Sequence, residues 1–261
     1  MKWFVNSRND PFRQIGYAHD QQGIMRRYLR EGENWHSHLE NSKRYIVQFC
    51  RQLQQSESIA ILGSGWLLDV PLEFLLERFE RIYLVDICHP TQIRHKMSKE
   101  PRIVLVEKDL TGLAHLLPDI LKGRELSDER ISDLAETLPD QPEEMHAGAL
   151  ISLNLLTQLD GIIHDYIQRK KIPASIQQDR FRKTLQERHL NLLSRFPSCL
   201  ITDTHELLLD DKEQLVSSSP TLLANWPEGK HARGWTWKFD SQKTFHEQYK
   251  TFLRVEATML L

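Results

Sequence analysis

"SIAILGSGWLLDVPLEFLLERFERIYLVDICHP", residues 58–90, contains the elements that decide the fold. Two short apolar runs rich in β-branched residues, 58–62 and 81–85, flank a glycine turn and a helical segment. The apolar residues of that segment share one helical face: Leu72, Leu75, Leu76 and Phe79. Strand, turn, helix and strand in this order predict a β-α-β unit with a parallel pair of strands.

The same alternation continues towards the end of the chain. Further apolar runs at 102–107, 148–156 and 198–204 are separated by stretches typical of helices, "SDERISDLAETL" among them. This order predicts a parallel sheet covered by helices on both faces. The last two strand-like runs, 234–240 and 251–261, have only ten residues between them, so they are predicted to pair antiparallel. The segment "SSSP" before them is typical of a loop.

The N-terminal segment has a different pattern. Its first ~35 residues show no long period, which predicts an arm or short helices. The next part has apolar and small residues three or four apart, on one face of an amphipathic helix: Leu39, Ser42, Tyr45, Ile46, Phe49, Cys50 and Leu53. We therefore expect residues 1–56 to form a helical arm or lid and residues 57–261 to form the sheet domain.

Composition excludes several classes of protein. Of the 261 residues, 40% are hydrophobic and 27% charged, which is ordinary for a globular α/β protein. The net charge of -2 gives no global attraction to nucleic acid, although a local patch such as "MRRYLR" is left open against a solvated helix face. No apolar stretch approaches the ~20 residues of a membrane helix, and the N-terminus lacks a signal pattern, so a cytoplasmic location is expected.

Cysteine and histidine patterns do not indicate a metal site. The three cysteines are far apart and unpaired in sequence, and are interpreted as buried small hydrophobic residues. His36 and His38 stand two residues apart, which does not place two imidazoles on one helical face, and no HExxH motif is present. No metal is therefore predicted.

The glycine turn after the first strand indicates a nucleotide-like cofactor. Gly63 and Gly65 would let a ligand approach the backbone closely, and Asp86 follows about twenty residues later, where an acid can bind ribose hydroxyls. A dinucleotide fingerprint would need glycine at position 68, which is Leu68. The pattern therefore disfavours NAD and FAD.

Residues ~58–261 resemble a class I S-adenosylmethionine-dependent methyltransferase. The resemblance implies a Rossmann-like three-layer sandwich with a seven-stranded, mostly parallel sheet in the order 3-2-1-4-5-7-6 and an antiparallel C-terminal strand. It also implies S-adenosylmethionine as cofactor. The sequence departs from the family's first motif at two places, with Ile61 at the position of an acid and Leu67 at that of a third glycine.

The resemblance also assigns roles to individual residues. The cofactor-binding positions are Gly63, Ser64, Gly65, Asp86, Ile87, Asp109, Leu110, Ser152 and Leu153. Asp86 would bind the ribose hydroxyls and Asp109 would accept from the adenine amino group, with Ile87 and Leu110 against the ring. Asn154 after the fourth strand, and His205 after the fifth, are the candidate catalytic residues facing the acceptor.

Each assignment has a structural alternative. Asp86 can cap a strand end, Asp109 can close a turn, and Asn154 can tie neighbouring loops as a buried amide. Asp69 is interpreted as a helix N-cap, with a substitute for the missing acid as the alternative. His205 can lie in a solvated loop.

Three functional hypotheses follow. The first is methyl transfer to an unidentified acceptor, most simply a small molecule, with no membrane partner. The second is a catalytically silent relative that keeps the fold and binds S-adenosylmethionine. The third, disfavoured by Leu68, is an NAD(P)-binding oxidoreductase.

Overall fold

The computed structural model describes residues 17–54, 56–112, 119, 122–123, 146–161 and 178–261. The helices are α1 (Tyr17–Gln52), α2 (Leu72–Arg78), α3 (Thr91–Met97) and α4 (Gln178–Leu193), with a 3₁₀ turn at Leu156–Gln158. The strands are β1 (Ser58–Leu62), β2 (Arg81–Asp86), β3 (Ile103–Glu107), β4 (Ala149–Leu153), β5 (Ser198–Leu209), β6 (Leu215–Pro220), β7 (Lys230–Asp240) and β8 (Lys250–Leu260). The helix predicted at "SDERISDLAETL" lies outside the described residues.

One sheet organises the molecule. Its strands follow the order β3-β2-β1-β4-β5-β8-β7, with β6 paired to β5 off this path. The pairs among β1 to β5 are parallel, whereas β8 runs antiparallel to both β5 and β7. Without β6, this is the predicted order 3-2-1-4-5-7-6, so the fold expected from the resemblance is confirmed.

The extra strand corrects the loop predicted around "SSSP". β4 stops at Leu153, which pairs with Ile201, but β5 continues to Leu209. The part of β5 beyond β4 has a row of backbone donors and acceptors on that edge, and β6 pairs with it from His205 to Leu209. Unpaired backbone groups at a sheet edge favour such an added strand.

Helix α1 corrects the prediction of an arm or short helices. Within the described residues it runs unbroken for 36 residues from Tyr17. Its buried stripe begins at Glu31 and continues through Trp35, His38, Ser42 and Ile46, so it starts before the periodic segment recognised in the sequence. Tyr45 also donates from its hydroxyl to the main-chain oxygen of His231 at 3.0 Å, which ties the helix to β7.

The core lies on both faces of the sheet. Alternate residues of β1 point to opposite faces, Ile61 to the side of α1 and Leu62 to the side of α4. On the first face α1 contributes Phe49, and on the second face α4 contributes Leu185, all of them buried. The result is the predicted three-layer sandwich.

The continuity of α1 can be tested at Gly32. An added Cβ there would meet nothing within 4 Å, and alanine is a better helix former than glycine. We expect Gly32→Ala to raise the free energy of unfolding by about 0.5–1 kcal/mol in urea denaturation. A loss of stability would contradict an unbroken helix at this position.

Candidate functional site

The glycine turn lies between the ends of two strands. Gly63 has φ +82°, and its N–H donates to the main-chain oxygen of Val85 at 2.9 Å. A Cβ on Gly63 would come within 2.8 Å of the Leu153 main-chain oxygen and 2.9 Å of Leu155 Cβ. Both the conformation and the space therefore require glycine, and the turn is fixed against the carboxyl end of β4.

The turn adapts to the missing third glycine. Leu67 takes a left-handed backbone conformation, φ +59°, and its N–H donates to the Ser64 main-chain oxygen at 2.9 Å. A bulky residue in the left-handed conformation destabilises the fold by on the order of 1 kcal/mol. Leu67 therefore keeps the backbone conformation typical of glycine but lowers stability. Ile61, at the position of the missing acid, is fully buried in β1.

Asp86 connects the turn to the end of β2. Its Oδ2 accepts from the Gly65 N–H at 2.8 Å and its Oδ1 from the Ile87 N–H at 2.8 Å. Burial raises the pKa of Asp86, and these amide hydrogen bonds and nearby His89 oppose that rise. The carboxylate is thus held in one orientation at the carboxyl edge of the sheet. This is compatible with both interpretations of Asp86, as a ribose-binding residue and as a cap of the strand end.

A cleft open to solvent lies beside this carboxylate. Five of the predicted cofactor residues line it: Gly63, Asp86, Ile87, Asp109 and Leu110. Asp109 also closes a turn, because its Oδ1 accepts from the N–H and the hydroxyl of Thr111 at 2.8 and 2.5 Å. The cleft lies at the carboxyl ends of the strands, where open α/β sheets bind ligands.

Asn154 follows β4 in a left-handed conformation, φ +48°. Its Nδ2 donates to Asp69 Oδ2 at 2.8 Å and lies 3.2 Å from His38 Nε2. Asp69 is not the predicted N-cap, because Pro71 occupies that position of α2 and no side chain caps the helix. Burial raises the pKa of Asp69 to about 6, so it can exchange a proton near neutral pH.

His38 is the member of this group that the sequence pattern missed. Its Nδ1 accepts from Trp235 Nε1 at 3.1 Å, and its ring stacks on Trp237 at 3.9 Å between centroids. Burial lowers the pKa of His38 to about 3, so the imidazole is neutral. Extending the apolar stripe of α1 back by one turn, from Ser42, would have identified it.

Three other predicted residues lie elsewhere. The Ser152 hydroxyl lies 2.8 Å from His189 Nε2 inside the α4 side of the core, and the Leu153 side chain is buried on the opposite face. His205 sits within β5, where its Nδ1 lies 3.2 Å from the Thr204 hydroxyl. Neither Ser152, Leu153 nor His205 lines the cleft described above.

The basic segment "MRRYLR" packs partly inward. The Arg27 guanidinium lies 4.4 Å from the centre of the Phe239 ring, and Tyr28 lies 6.0 Å from Trp35. Arg26 and Arg30 are exposed. Its aromatic member therefore belongs to the contact between α1 and the β7–β8 hairpin.

Two features are absent from the part of the chain that the structure describes. There, no three His, Cys, Asp or Glu side chains converge as metal ligands, and no helix is long and apolar enough to cross a membrane. Cys50 and Cys199 are buried, as predicted, whereas Cys88 is half-buried.

Solved structures that resemble this chain in fold include methyltransferases. One is Burkholderia thailandensis 1,6-didemethyltoxoflavin-N1-methyltransferase, solved with 1,6-didemethyltoxoflavin and S-adenosylhomocysteine bound. It aligns over 97% of this chain and 92% of its own at 11% identity and a TM-score of 0.42. Precorrin-6y C5,15-methyltransferase from Geobacter metallireducens GS-15 aligns over 83% and 86%, at 12% identity and a TM-score of 0.28.

The methyltransferase domain of bacterial CtHen1-C aligns over 84% of this chain and 98% of its own, at 13% identity and a TM-score of 0.32. No family model and no curated protein matches the chain. The fold assignment rests on the strand order and pairing of this chain itself.

The close fit of the glycine turn predicts a severe effect at Gly63. We expect Gly63→Ala to lower the free energy of unfolding by roughly 2–4 kcal/mol, because the new Cβ overlaps a main-chain oxygen and the φ is unfavourable. Urea denaturation measures this, with Gly161→Ala as control, since a Cβ there meets nothing within 4 Å. Equal stability of the two variants would contradict the described packing.

Stability should depend on pH through buried His189, whose pKa burial lowers to about 4. Between pH 6.5 and about 4 the unfolded chain binds a proton at this residue and the folded chain does not. The free energy of unfolding therefore decreases as the pH falls, by on the order of 3 kcal/mol from this group. His189→Gln should lose this part of the pH dependence in denaturant titrations.

The matched control is His95→Gln, at an exposed position of α3. It should keep the pH dependence of the unsubstituted protein. Asp69 acts in the opposite direction, because its raised pKa makes the folded chain bind a proton between about pH 6 and 4. An unchanged pH dependence in His189→Gln would show that this imidazole is not held neutral.

Proposed function

We propose that this protein binds S-adenosylmethionine in the cleft at the carboxyl ends of β1 to β3 and transfers its methyl group to a small-molecule acceptor. The observation that carries the proposal is the convergence of a sterically fixed glycine turn, the oriented carboxylate of Asp86 and the side chains of Asp109 and Leu110 on one cleft. Three separate stretches of sequence contribute these residues.

The chemistry of these groups fits a nucleoside. Asp86 would accept hydrogen bonds from the ribose hydroxyls, and Asp109 would accept from the exocyclic amino group of adenine. Ile87 and Leu110, both half-buried, would contact the ring. Gly63 lines the cleft, and the absence of a side chain there lets the turn pack closely against the end of β4.

S-adenosylmethionine would supply an electrophilic methyl group, and the protein would contribute mainly by holding the acceptor in line with it. Asn154 follows β4 and donates to Asp69, which precedes α2, and this pair, outside the residues that line the cleft, is proposed to face the acceptor. If the acceptor atom carries N–H or O–H, its proton leaves as the bond to the methyl carbon forms. The C–S bond pair would stay on the sulfur as S-adenosylhomocysteine leaves, and Asp69, with its pKa raised to about 6, would receive the proton.

Two features separate this proposal from the alternatives. A dinucleotide would require glycine at Leu68, so NAD(P) binding has no support in the turn. A silent relative would bind the cofactor without turnover, whereas the hydrogen bond between Asn154 and Asp69 supports an active site in which Asp69 takes the place of the acid missing at Ile61.

Calorimetric titration with S-adenosylhomocysteine tests the proposal. We expect Asp86→Asn to weaken binding by about 1.5–3 kcal/mol, because the neutral amide cannot accept from two hydroxyls as a carboxylate does. Asp179→Asn, at an exposed position of α4, is the matched control and should bind as the unsubstituted protein does.

Two outcomes would overturn the proposal. One is binding of NAD(P)H in place of S-adenosylmethionine and S-adenosylhomocysteine. The other is equal affinity of the Asp86 and Asp179 variants, which would leave Asp86 with a structural role only.

A further inference from the structure

The first turns of α1 reach over the glycine turn. The main-chain oxygen of Gln21 accepts from Trp66 Nε1 at 2.7 Å, which fixes the helix to the residue after Gly65. The Gln21 side chain extends from this anchor to Asp86, with Nε2 at 3.4 Å from Oδ1. This hydrogen bond is long compared with the two backbone contacts of 2.8 Å at the same carboxylate.

The other end of the Gln21 amide lacks a hydrogen-bond partner. Its Oε1 is buried, and among the residues that the structure describes no donor reaches it. A Cβ built on Gly65 would lie 3.8 Å from this oxygen and 3.9 Å from Asp86 Oδ2, so the two oxygens border the same space above Gly65. A buried acceptor without a donor is unfavourable, and here it lies beside the carboxylate proposed to hold the ribose.

The placement of the Gln21 amide beside the Asp86 carboxylate suits the chemistry of a vicinal diol. Each ribose hydroxyl both donates and accepts a hydrogen bond, whereas an ionised carboxylate can only accept. A primary amide adds what Asp86 lacks, because Nε2 can donate to a hydroxyl oxygen and Oε1 can accept a further hydroxyl proton. The long contact between Nε2 and Oδ1 can give way to these bonds at little cost.

We propose that Gln21 is a cofactor-binding residue that, together with Asp86, encloses the ribose diol of the bound nucleoside from both sides. This inference rests on the proposed function and goes beyond it by making α1 part of the cofactor site. The helix then acts on the nucleoside itself, in addition to any contact with the acceptor.

Substitution of Gln21 can distinguish the contribution of its side chain to binding from that of helix α1. The contact with Trp66 uses the main-chain oxygen of Gln21, so Gln21→Ala leaves this anchor in place. Gln22→Ala is the matched control, since Gln22 is exposed on the same turn and the substitution changes helix propensity equally. Thermal unfolding checks that both variants fold.

Calorimetric titration with S-adenosylhomocysteine should show about ten-fold weaker binding for Gln21→Ala, the loss expected for one buried hydrogen bond, and no change for Gln22→Ala. The 2′-deoxy and 3′-deoxy analogues of S-adenosylhomocysteine localise the effect. The loss on Gln21→Ala should shrink with the analogue that lacks the hydroxyl bound by the amide. Gln21→Glu should weaken binding more, because it brings a second carboxylate beside Asp86.

Equal or tighter binding by Gln21→Ala would overturn the inference, and tighter binding would show that Gln21 competes with the ligand. In that case the proposed function would stand if Asp86→Asn still lost affinity. If the unsubstituted protein bound neither S-adenosylmethionine nor S-adenosylhomocysteine, both would fail. A loss of the same size with both deoxy analogues would remove the assignment to the diol.

Discussion

The approach of the glycine turn to the end of β4 is the contact on which the rest of the site depends. Gly63 lies against the Leu153 main-chain oxygen and donates to that of Val85, so three neighbouring strands are locked together where they end. Because the turn cannot move away from β4, the Gly65 N–H points to Asp86 and holds its carboxylate. The methyl group that Gly63→Ala would add would therefore disturb both the sheet and the cleft.

The sequence predicted those parts of the fold that are specified locally. Apolar runs of five or six residues with β-branched side chains marked β1, β2 and β3 to within one or two residues, and β1 and β2 are buried along most of their length. Gly63 and Gly65 marked the turn because glycine adopts a left-handed backbone without strain, and at Gly63 the contact with β4 also excludes a side chain. Strand β6 was missed because "SSSP" has no apolar period. It pairs only with the part of β5 that extends beyond the end of β4.

The polar residues of the site were predictable only in part. Asp86 and Asp109 could be placed because Asp86 ends β2 and Asp109 follows the end of β3, at positions that a regular alternation determines. The group of His38, Asp69 and Asn154 could not, because its members are 31 and 85 residues apart along the chain and meet only through packing of α1 on the sheet. Sequence spacing carries no information about such contacts.

Helix α1 joins two parts of the molecule that a boundary at residue 56 would separate. Its second half supplies Trp35, Ile46 and Phe49 to the layer that covers one face of the sheet, while its first turns carry Gln21 to the glycine turn. At 1.5 Å per residue such a helix spans roughly 50 Å as one rod. Removal of residues 1–56 would therefore expose one face of the sheet and, at the same time, take away the contacts of Gln21 with Trp66 and Asp86.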